Sequence, residues 1–320
     1  MSYSDIENKL NSGKIIILDG GMGAELEKLG ASMDNNLWSG RCSVDNPEIV
    51  YKAHQNFIQS GSDIITTNTY ASTPISMKEY GYENHIEEWN KASVKIAKNV
   101  IDNSNSNVCV AGSVSTYGSW DRIEPKFLKP GFLKQLSILS EAGVDLIILE
   151  AMTSSTRTIE ALLDCSNKFD ISIWLSISCA LNRDRNQLML GYQESISNSE
   201  AFFYDDFENS INEFKKIHDG PILIAHSDIK VINQGIQIIK SNYNGVIGAY
   251  PNNGFFKKPH WNVVESISPQ EYYEEAKLWV ESGAQIIGGC CGVGPSPVSY
   301  THLRAHETRG NLVCRLLLEK

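Results

Sequence analysis

The chain alternates short apolar runs with longer amphipathic stretches. The runs are continuous and rich in β-branched residues, which is typical of strands that are buried on both faces. Eight runs follow this pattern, at residues 15–18, 63–67, 108–111, 145–149, 171–178, 222–225, 246–249 and 285–287. The stretches between them predict helices over residues 48–60, 85–100, 132–142, 158–168, 200–217, 231–241 and 269–282.

This alternation predicts an α/β fold with a parallel sheet, and eight strands favour a closed (β/α)8 TIM barrel in one domain, residues 1–295. Glycines close behind three predicted helices, Gly61, Gly143 and Gly283, fit helix C-terminal caps. A doubly wound open sheet is the alternative. The stretch 20–23 (GGMG) lacks the third glycine of a phosphate-binding fingerprint, so the barrel is preferred.

The last 25 residues break the pattern. Residues 296–320 should form the eighth helix, yet they are locally basic in an acidic chain and continue poorly from what precedes them. We predict an atypical tail in place of that helix, either a foreign end or an unusual native helix. His302 and His306 have a helical spacing that suits a metal, with Glu307 beside them. Without a third ligand, a solvated helix face is the preferred interpretation.

The composition narrows the possible function. A net charge of −10 argues against nucleic acid and anionic membranes as partners. No apolar run approaches the length of about 20 residues that a membrane span needs, and no signal peptide is visible at the polar start of the chain. Seven cysteines in 320 residues favour a reducing compartment over a disulfide framework. We therefore expect a cytoplasmic enzyme or binding protein for small molecules, and leave oligomerisation open.

Polar residues follow the predicted strands at the ends where barrel enzymes collect their active sites. Two carboxylates, an amide, a histidine and two thiols would converge there, from Asp19, Asn68, Glu150, His226, Cys290 and Cys291. Each residue type also has an ordinary structural role. A carboxylate can cap a turn or form a salt bridge, and a lone histidine is usually a hydrogen-bonded core residue. Together they indicate a functional site.

Cys290 and Cys291 are adjacent and lie between Gly289 and Gly292. Neighbouring side chains of a strand point to opposite faces, so both thiols can serve one centre only if the backbone turns sharply, which glycine permits. A thiolate pair suits a soft metal, with Zn²⁺ the first choice, while a vicinal disulfide or two ordinary buried cysteines are the alternatives. With His226 the pair would supply three protein ligands and leave a fourth position for substrate, as in catalytic zinc sites.

Several stretches occur together in an order that is similar to a known family. They are residues 18–26 (LDGGMGAEL), 37–39 (LWS), 46–48 (NPE), 64–70 (IITTNTY), 112–113 (GS), Glu150 and 286–292 (IIGGCCG). This combination resembles the homocysteine S-methyltransferase family, a zinc-dependent barrel group with betaine- and S-methylmethionine-dependent members. The resemblance extends from residue 15 to about residue 295.

The resemblance implies roles for the residues at the strand ends. It implies that Cys290 and Cys291 are zinc ligands, and that Asp19 and Glu150 are the catalytic carboxylates that hold the amino group of an amino-acid substrate. The other expected substrate contacts lie in the same stretches: Gly20, Gly21, Met22, Glu25 and Asn68.

The stretch 224–227 (IAHS) departs from the family. The family usually supplies its third zinc ligand as a cysteine in an Asn-Cys pair after strand six, whereas this chain has His226. Histidine is a competent zinc ligand, so the site can persist. Two thiolate ligands bring the charge of a Zn²⁺ centre to zero, whereas three bring it to −1. With His226 we therefore expect the zinc-bound substrate sulfur to be less electron-rich, and a weaker nucleophile, than at the family's three-thiolate centre. Ser296 and Pro297 are a second departure, where the family often continues Glu-His-Ile.

By resemblance, the predicted reaction is zinc-dependent methyl transfer from an onium donor to the thiol of homocysteine, giving methionine. The donor would be S-methylmethionine, S-adenosylmethionine or betaine. Aromatic rings suit a cationic donor, and Trp38, Tyr70 and Tyr117 are candidates, although core packing is the commoner role of an aromatic residue. Two rival hypotheses stay open: another zinc barrel hydrolase or lyase, and a zinc- or thiol-binding barrel without methyltransferase activity.

Overall fold

Eight parallel strands form the centre of the molecule. The computed structural model describes residues 1–118, 123–193, 201–257, 260–264 and 266–301. In chain order the central strands are β1 (Ile16–Ile17), β2 (Ile64–Thr66), β3 (Cys109–Ser115), β4 (Leu146–Met152), β5 (Ile173–Ile177), β6 (Ile222–Asp228), β7 (Ile247–Asn252) and β8 (Ile286–Ile287). Neighbours pair in the order β1-β8-β7-β6-β5-β4-β3-β2, and a parallel bridge between Leu18 and Ile64 joins the two ends. The strands therefore form the predicted (β/α)8 barrel, and the doubly wound alternative is wrong.

Helices connect the strands and surround the barrel. They are α1 (Tyr3–Asn11), α2 (Met22–Lys28), α3 (Cys42–Asp45), α4 (Pro47–Gln59), α5 (Pro74–Glu79), α6 (Ile86–Ser104), α7 (Pro125–Ala142), α8 (Thr156–Ser166), α9 (Phe207–Phe214), α10 (Ile232–Asn242) and α11 (Pro269–Ser282). Within the described ranges, none of the helices is long and apolar enough to cross a membrane.

The predicted glycine caps are confirmed. Gly61, Gly143 and Gly283 follow α4, α7 and α11 with φ angles of 93°, 82° and 121°. Glycine adopts this left-handed region without a steric penalty, which ends each helix and turns the chain towards the next strand.

Two of the predicted helices begin at the wrong residue. The predicted helix over 200–217 starts instead as a strand, Ala201–Asp206, and α9 begins only at Phe207. The aromatic run at residues 202–204 explains the strand, because aromatic side chains favour a pleated surface. Helix α7 begins at Pro125 rather than at residue 132 and continues through Pro130, a residue type that normally interrupts a helix.

Helix α1 closes the N-terminal end of the barrel. Its side chains Ile6 and Leu10 belong to the same buried apolar cluster as the inward-facing strand residues. The Lys9 ammonium lies 2.6 Å from the Asp63 carboxylate, just before β2. Because apolar packing fills this end, the polar residues that follow the strands lie at the opposite, C-terminal rim.

The start of the C-terminal segment is helical. The helix runs from residue 295 to residue 301, where Val298 and Thr301 are buried beside Tyr272. His302, His306 and Glu307 lie outside the described residues. The atypical tail at 296–320 therefore stays a prediction.

His54 on α4 is a buried histidine with an unusual environment. Its side chain is fully buried, and neither ring nitrogen has a hydrogen-bond partner. Burial disfavours the imidazolium and lowers the pKa of His54 to about 3. In the unfolded chain the same ring takes up a proton near its ordinary pKa of about 6.5.

We therefore expect acid to destabilise the protein through His54. Below about pH 6.5 the unfolded state binds a proton that the folded state does not, so the free energy of unfolding falls by up to about 1.4 kcal/mol per pH unit until the folded pKa is reached. Urea unfolding of wild type and His54→Leu at a series of pH values checks this. The variant should lose part of the slope, and identical slopes in both proteins would contradict the assignment.

Candidate metal and substrate site

The chain turns sharply after β8 and directs two adjacent thiols to one side. Cys290 N donates to the carbonyl of Pro251 at 2.9 Å, and Asn253 N donates to the carbonyl of Cys291 at 2.8 Å. These bonds fix the turn against the end of β7, and Gly292 completes it with a φ of 78°. The sulfur atoms of Cys290 and Cys291 lie 3.7 Å apart, and both thiols are free.

Glycines let the loop after β1 lie directly against this turn. A side chain at Gly20 would meet the carbonyl of Val293 at 2.1 Å, and one at Gly21 would meet the carbonyl of Cys290 at 2.4 Å. Gly21 N instead donates to Val293 O at 2.9 Å. These contacts give both glycines a structural role beside the cysteines, while their predicted substrate contact stays a prediction.

His226 comes from the end of β6 to the same place. Its Nδ1 lies 3.9 Å from the sulfur of Cys291, and the ligand atoms of His226, Cys290 and Cys291 all lie within 4.8 Å of one another. His226 has a φ of 47°, a left-handed conformation that costs energy in a residue other than glycine and that is enriched at functional sites.

This donor set fits a tetrahedral soft metal. Two zinc–sulfur bonds of about 2.3 Å at the tetrahedral angle would place the sulfur atoms about 3.8 Å apart, close to the separation found here. Two sulfurs and one imidazole nitrogen are ligands that zinc prefers, and three protein ligands leave one position open. A disulfide would need the sulfurs at about 2.05 Å, so the vicinal-disulfide alternative does not describe this structure.

The two thiols differ in acidity. The hydrogen bond from Cys291, together with His226, holds the pKa of Cys290 well below its ordinary value. The same sulfur–sulfur contact and burial raise the pKa of Cys291. Cys290 is thus the thiol that ionises first.

Two carboxylates lie at this rim, and Glu150 is the one that interacts with the thiols. Asp19 is buried, and both its oxygens accept hydrogen bonds from Thr66, with the backbone N–H at 2.7 Å. Glu150 accepts a short hydrogen bond from the Ser113 hydroxyl. Burial raises the pKa of Asp19 well above its ordinary range, and burial with the charge of Cys290 raises the pKa of Glu150 to about 7. Neither carboxylate forms a salt bridge to a lysine or arginine in the described part of the chain.

Tyr70 and Tyr117 form an aromatic pair on the same side of the barrel as Glu150. Their rings meet edge to face with centroids 5.8 Å apart. The Tyr117 hydroxyl donates to the carbonyl of Asn36 at 3.0 Å. Burial first, and then the nearby charges of Cys290 and Cys291, raise the pKa of Tyr70 well above its ordinary value. Tyr70 is therefore close enough to the thiol pair to be affected by its charge, while its predicted contact with a methyl donor stays a prediction.

The other predicted substrate residues have mainly structural contacts. Asn68 donates from its amide to the carbonyl of Ser39 at 2.8 Å, which holds the loop that carries Trp38. The Trp38 ring lies against Gly23, where a side chain would meet it at 2.3 Å. Their predicted role in substrate binding stays a prediction.

Met22 and Glu25 lie on α2. Met22 packs in the apolar cluster between the helices and the sheet. Glu25 is buried and accepts a hydrogen bond from Asn56 of α4 at 3.2 Å. These contacts join the two helices, and a substrate role for either residue stays a prediction.

No role was predicted for two residues that lie beside the thiol–imidazole group. Asn252 accepts a hydrogen bond from Cys291 N at 3.2 Å and places its amide nitrogen 3.5 Å from His226 Nδ1. The Tyr192 ring lies 5.4 Å from the His226 ring. Asn252 follows a predicted strand and could have been included, whereas Tyr192 comes from a segment for which no strand was predicted.

A model of the family described as homocysteine S-methyltransferase matches residues 16–302. The chain belongs to the homocysteine S-methyltransferase family. It is 24% identical over 329 residues to selenocysteine methyltransferase of Astragalus bisulcatus, covering 90% of this chain and 91% of that protein. It is 26% identical over 326 residues to homocysteine S-methyltransferase 2 of Zea mays, covering 91% and 90%.

The barrel is also similar to a crystal structure. The metallated form of homocysteine methyltransferase MmuM from Escherichia coli superimposes with a TM-score of 0.73 at 21% identity, covering 92% of this chain and 98% of that chain. At this identity the likeness shows the shared fold. The family assignment of this chain and its (β/α)8 barrel are thus consistent with each other.

Proposed function

We propose that the protein transfers a methyl group from an onium donor to the thiol of homocysteine and releases methionine. The observation that carries the proposal is the convergence of His226, Cys290 and Cys291 within 4.8 Å at a barrel rim that also holds Asp19 and Glu150. A soft-ligand group beside carboxylates is suited to a small amino acid that carries a sulfur atom.

We propose that Zn²⁺ is the metal held by His226, Cys290 and Cys291. Zinc bound there would lower the pKa of a thiol in the fourth position and keep its sulfur in the nucleophilic thiolate form at neutral pH. The thiols must stay reduced for this, so we place the enzyme in a reducing compartment, the cytoplasm.

Asp19 and Glu150 would bind the ammonium group of homocysteine. Each carboxylate is oriented by a hydroxyl donor, from Thr66 and Ser113. Their raised pKa values reflect negative charge that lacks compensation in a buried place. An incoming ammonium would supply that compensation, favour the ionised carboxylates and fix the position of the sulfur at the other end of the substrate.

The aromatic pair of Tyr70 and Tyr117, with Trp38, would receive the methyl donor. A sulfonium or quaternary ammonium is attracted to the face of an aromatic ring. The homocysteine sulfur supplies the electron pair of the new S–CH₃ bond. The donor heteroatom keeps the pair of the bond that breaks and leaves as a neutral sulfide or amine group.

The proposal is tested by mass spectrometry of products from homocysteine incubated with S-methylmethionine, S-adenosylmethionine or betaine in parallel. Methionine formation that depends on the enzyme with any one donor supports the proposal and identifies that donor. Metal-loaded protein that forms no methionine with all three would refute it.

Replacing His226 tests how the charge of the metal ligands affects the reactivity of the substrate sulfur. His226→Cys should keep the metal, because a third thiolate is also a good zinc ligand. The added negative charge should make the substrate sulfur more electron-rich, so kcat should hold steady or rise. Zinc content and kcat of the variant check this, and loss of activity with full zinc would indicate that His226 has another role.

A further inference from the structure

A small antiparallel sheet lies outside the barrel, next to the end of β6. Its strands are Cys179–Leu181, Leu188–Gln193 and Ala201–Asp206, between β5 and α9. Cys179 N donates to the hydroxyl of Ser227 in β6 at 2.8 Å, which anchors the sheet beside His226. The sheet therefore places its residues next to one of the three proposed metal ligands.

Three rings form an aromatic stack that leads from this sheet to the metal site. Tyr192 and Phe202 lie on paired strands and stack with centroids 4.9 Å apart and an interplanar angle of 17°. The Tyr192 ring in turn packs against the His226 ring, with centroids 5.4 Å apart and an interplanar angle of 45°. Phe202 is 44% exposed, so the stack begins at the surface.

The orientation of the His226 ring depends on the side chains packed around it. Its backbone, with φ 47°, is also in a conformation that the surroundings must stabilise. The amide of Asn252 approaches His226 Nδ1 at 3.5 Å, the outer limit of a hydrogen bond, and so constrains the ring weakly. The sulfur of Cys291 lies 3.9 Å from the same nitrogen, and packing of Tyr192 against the ring is a further contact that restricts rotation of the imidazole.

We propose that Tyr192, supported by Phe202, is a positioning residue that holds the His226 imidazole towards Cys290 and Cys291. The inference rests on the proposed metal site, and it assigns no contact with substrate to Tyr192. Groups around a metal ligand that fix its orientation change metal affinity without binding the metal themselves.

The test measures zinc affinity by competition with a chromophoric chelator. Tyr192→Ala should bind zinc about tenfold or more weakly than wild type, and Tyr192→Phe should restore the affinity because the ring contact is kept. Phe202→Ala should weaken binding less, in the same direction. Phe127→Ala, which removes an exposed ring from α7 on another side of the barrel, is the matched control and should bind zinc normally.

The same substitution in the His226→Cys variant shows whether Tyr192 affects zinc affinity through the imidazole. In His226→Cys there is no ring to hold, so Tyr192→Ala should leave zinc affinity unchanged there. An equal loss in both backgrounds would mean that the substitution only loosens the sheet and would overturn the proposal. Tyr192→Leu, which keeps apolar bulk, replaces Tyr192→Ala if thermal unfolding shows that the alanine variant does not fold.

Three further results are informative. Unchanged zinc affinity with a raised KM for the donor would mean that Tyr192 contacts the donor, and would overturn the positioning role. Wild-type protein that binds no zinc would refute the metal assignment itself. Zinc binding by wild type that is indifferent to Tyr192 would refute this inference alone.

Discussion

Replacing both Cys290 and Cys291 by serine is expected to lower zinc affinity by roughly 1,000-fold or more and to abolish methyl transfer. A serine hydroxyl is a hard, neutral donor at neutral pH, whereas the proposed site depends on thiolates. The barrel should stay folded, because both cysteines lie at the rim, after β8, and the core beneath them consists of apolar residues of the strands and of α1.

Metal analysis of dialysed protein, together with thermal unfolding by circular dichroism, measures both parts of this prediction. Cys165→Ala is the matched control, since Cys165 is a buried thiol on α8 away from the other two. The control should keep about one zinc per chain. Full zinc retention by the double serine variant would show that the ligands lie elsewhere.

Removing the charge of Glu150 should have the next largest effect. Glu150→Gln keeps the shape of the side chain and an acceptor for Ser113, but it cannot pair with an ammonium. Loss of one member of a buried charge pair costs about 2–5 kcal/mol, so kcat/KM for homocysteine should fall about 30-fold or more. Zinc content should not change.

A substrate analogue makes this test sharper. 4-Mercaptobutanoate lacks the amino group of homocysteine, so wild type should use it poorly and Glu150→Gln should use it about as well as wild type does. The pKa of Glu150 is about 7, so KM of wild type for homocysteine should rise as the pH falls below 7, and the variant should lose that dependence. Glu213→Gln, a change to a half-exposed side chain on α9, is the control. An equal loss for both thiols in Glu150→Gln would show that Glu150 does not bind the amino group.

The rim of the barrel could be predicted because two simple regularities define it. Buried parallel strands appear as continuous β-branched runs, and functional side chains follow their C-terminal ends. Asp19, Glu150, His226 and the cysteine pair were found by that rule, and the structure brings His226, Cys290 and Cys291 together. Their proposed roles rest on the experiments above.

The other features of the site depend on tertiary contacts, which the pattern of apolar and polar residues does not reveal. His226 and Ala151 have left-handed backbones at irregular strand ends, and such irregularities follow from the register between neighbouring strands. The sheet that carries Tyr192 was missed because the helical pattern that ends in α9 extends backwards over residues 200–206. The aromatic run at 202–204 was the signal that could have revealed the strand.

Zinc-dependent methyl transfer to homocysteine is tested most directly with homocysteine labelled with carbon-13, because methionine made from the acceptor then differs in mass from methionine released by S-methylmethionine. Zinc-loaded wild type is incubated with the labelled acceptor and each of the three onium donors, next to the Cys290→Ser, Cys291→Ser double variant. We expect labelled methionine from wild type with at least one donor, and only background amounts from the variant. Labelled methionine from the metal-free double variant at the wild-type rate, or none from zinc-loaded wild type with all donors, would contradict this expectation.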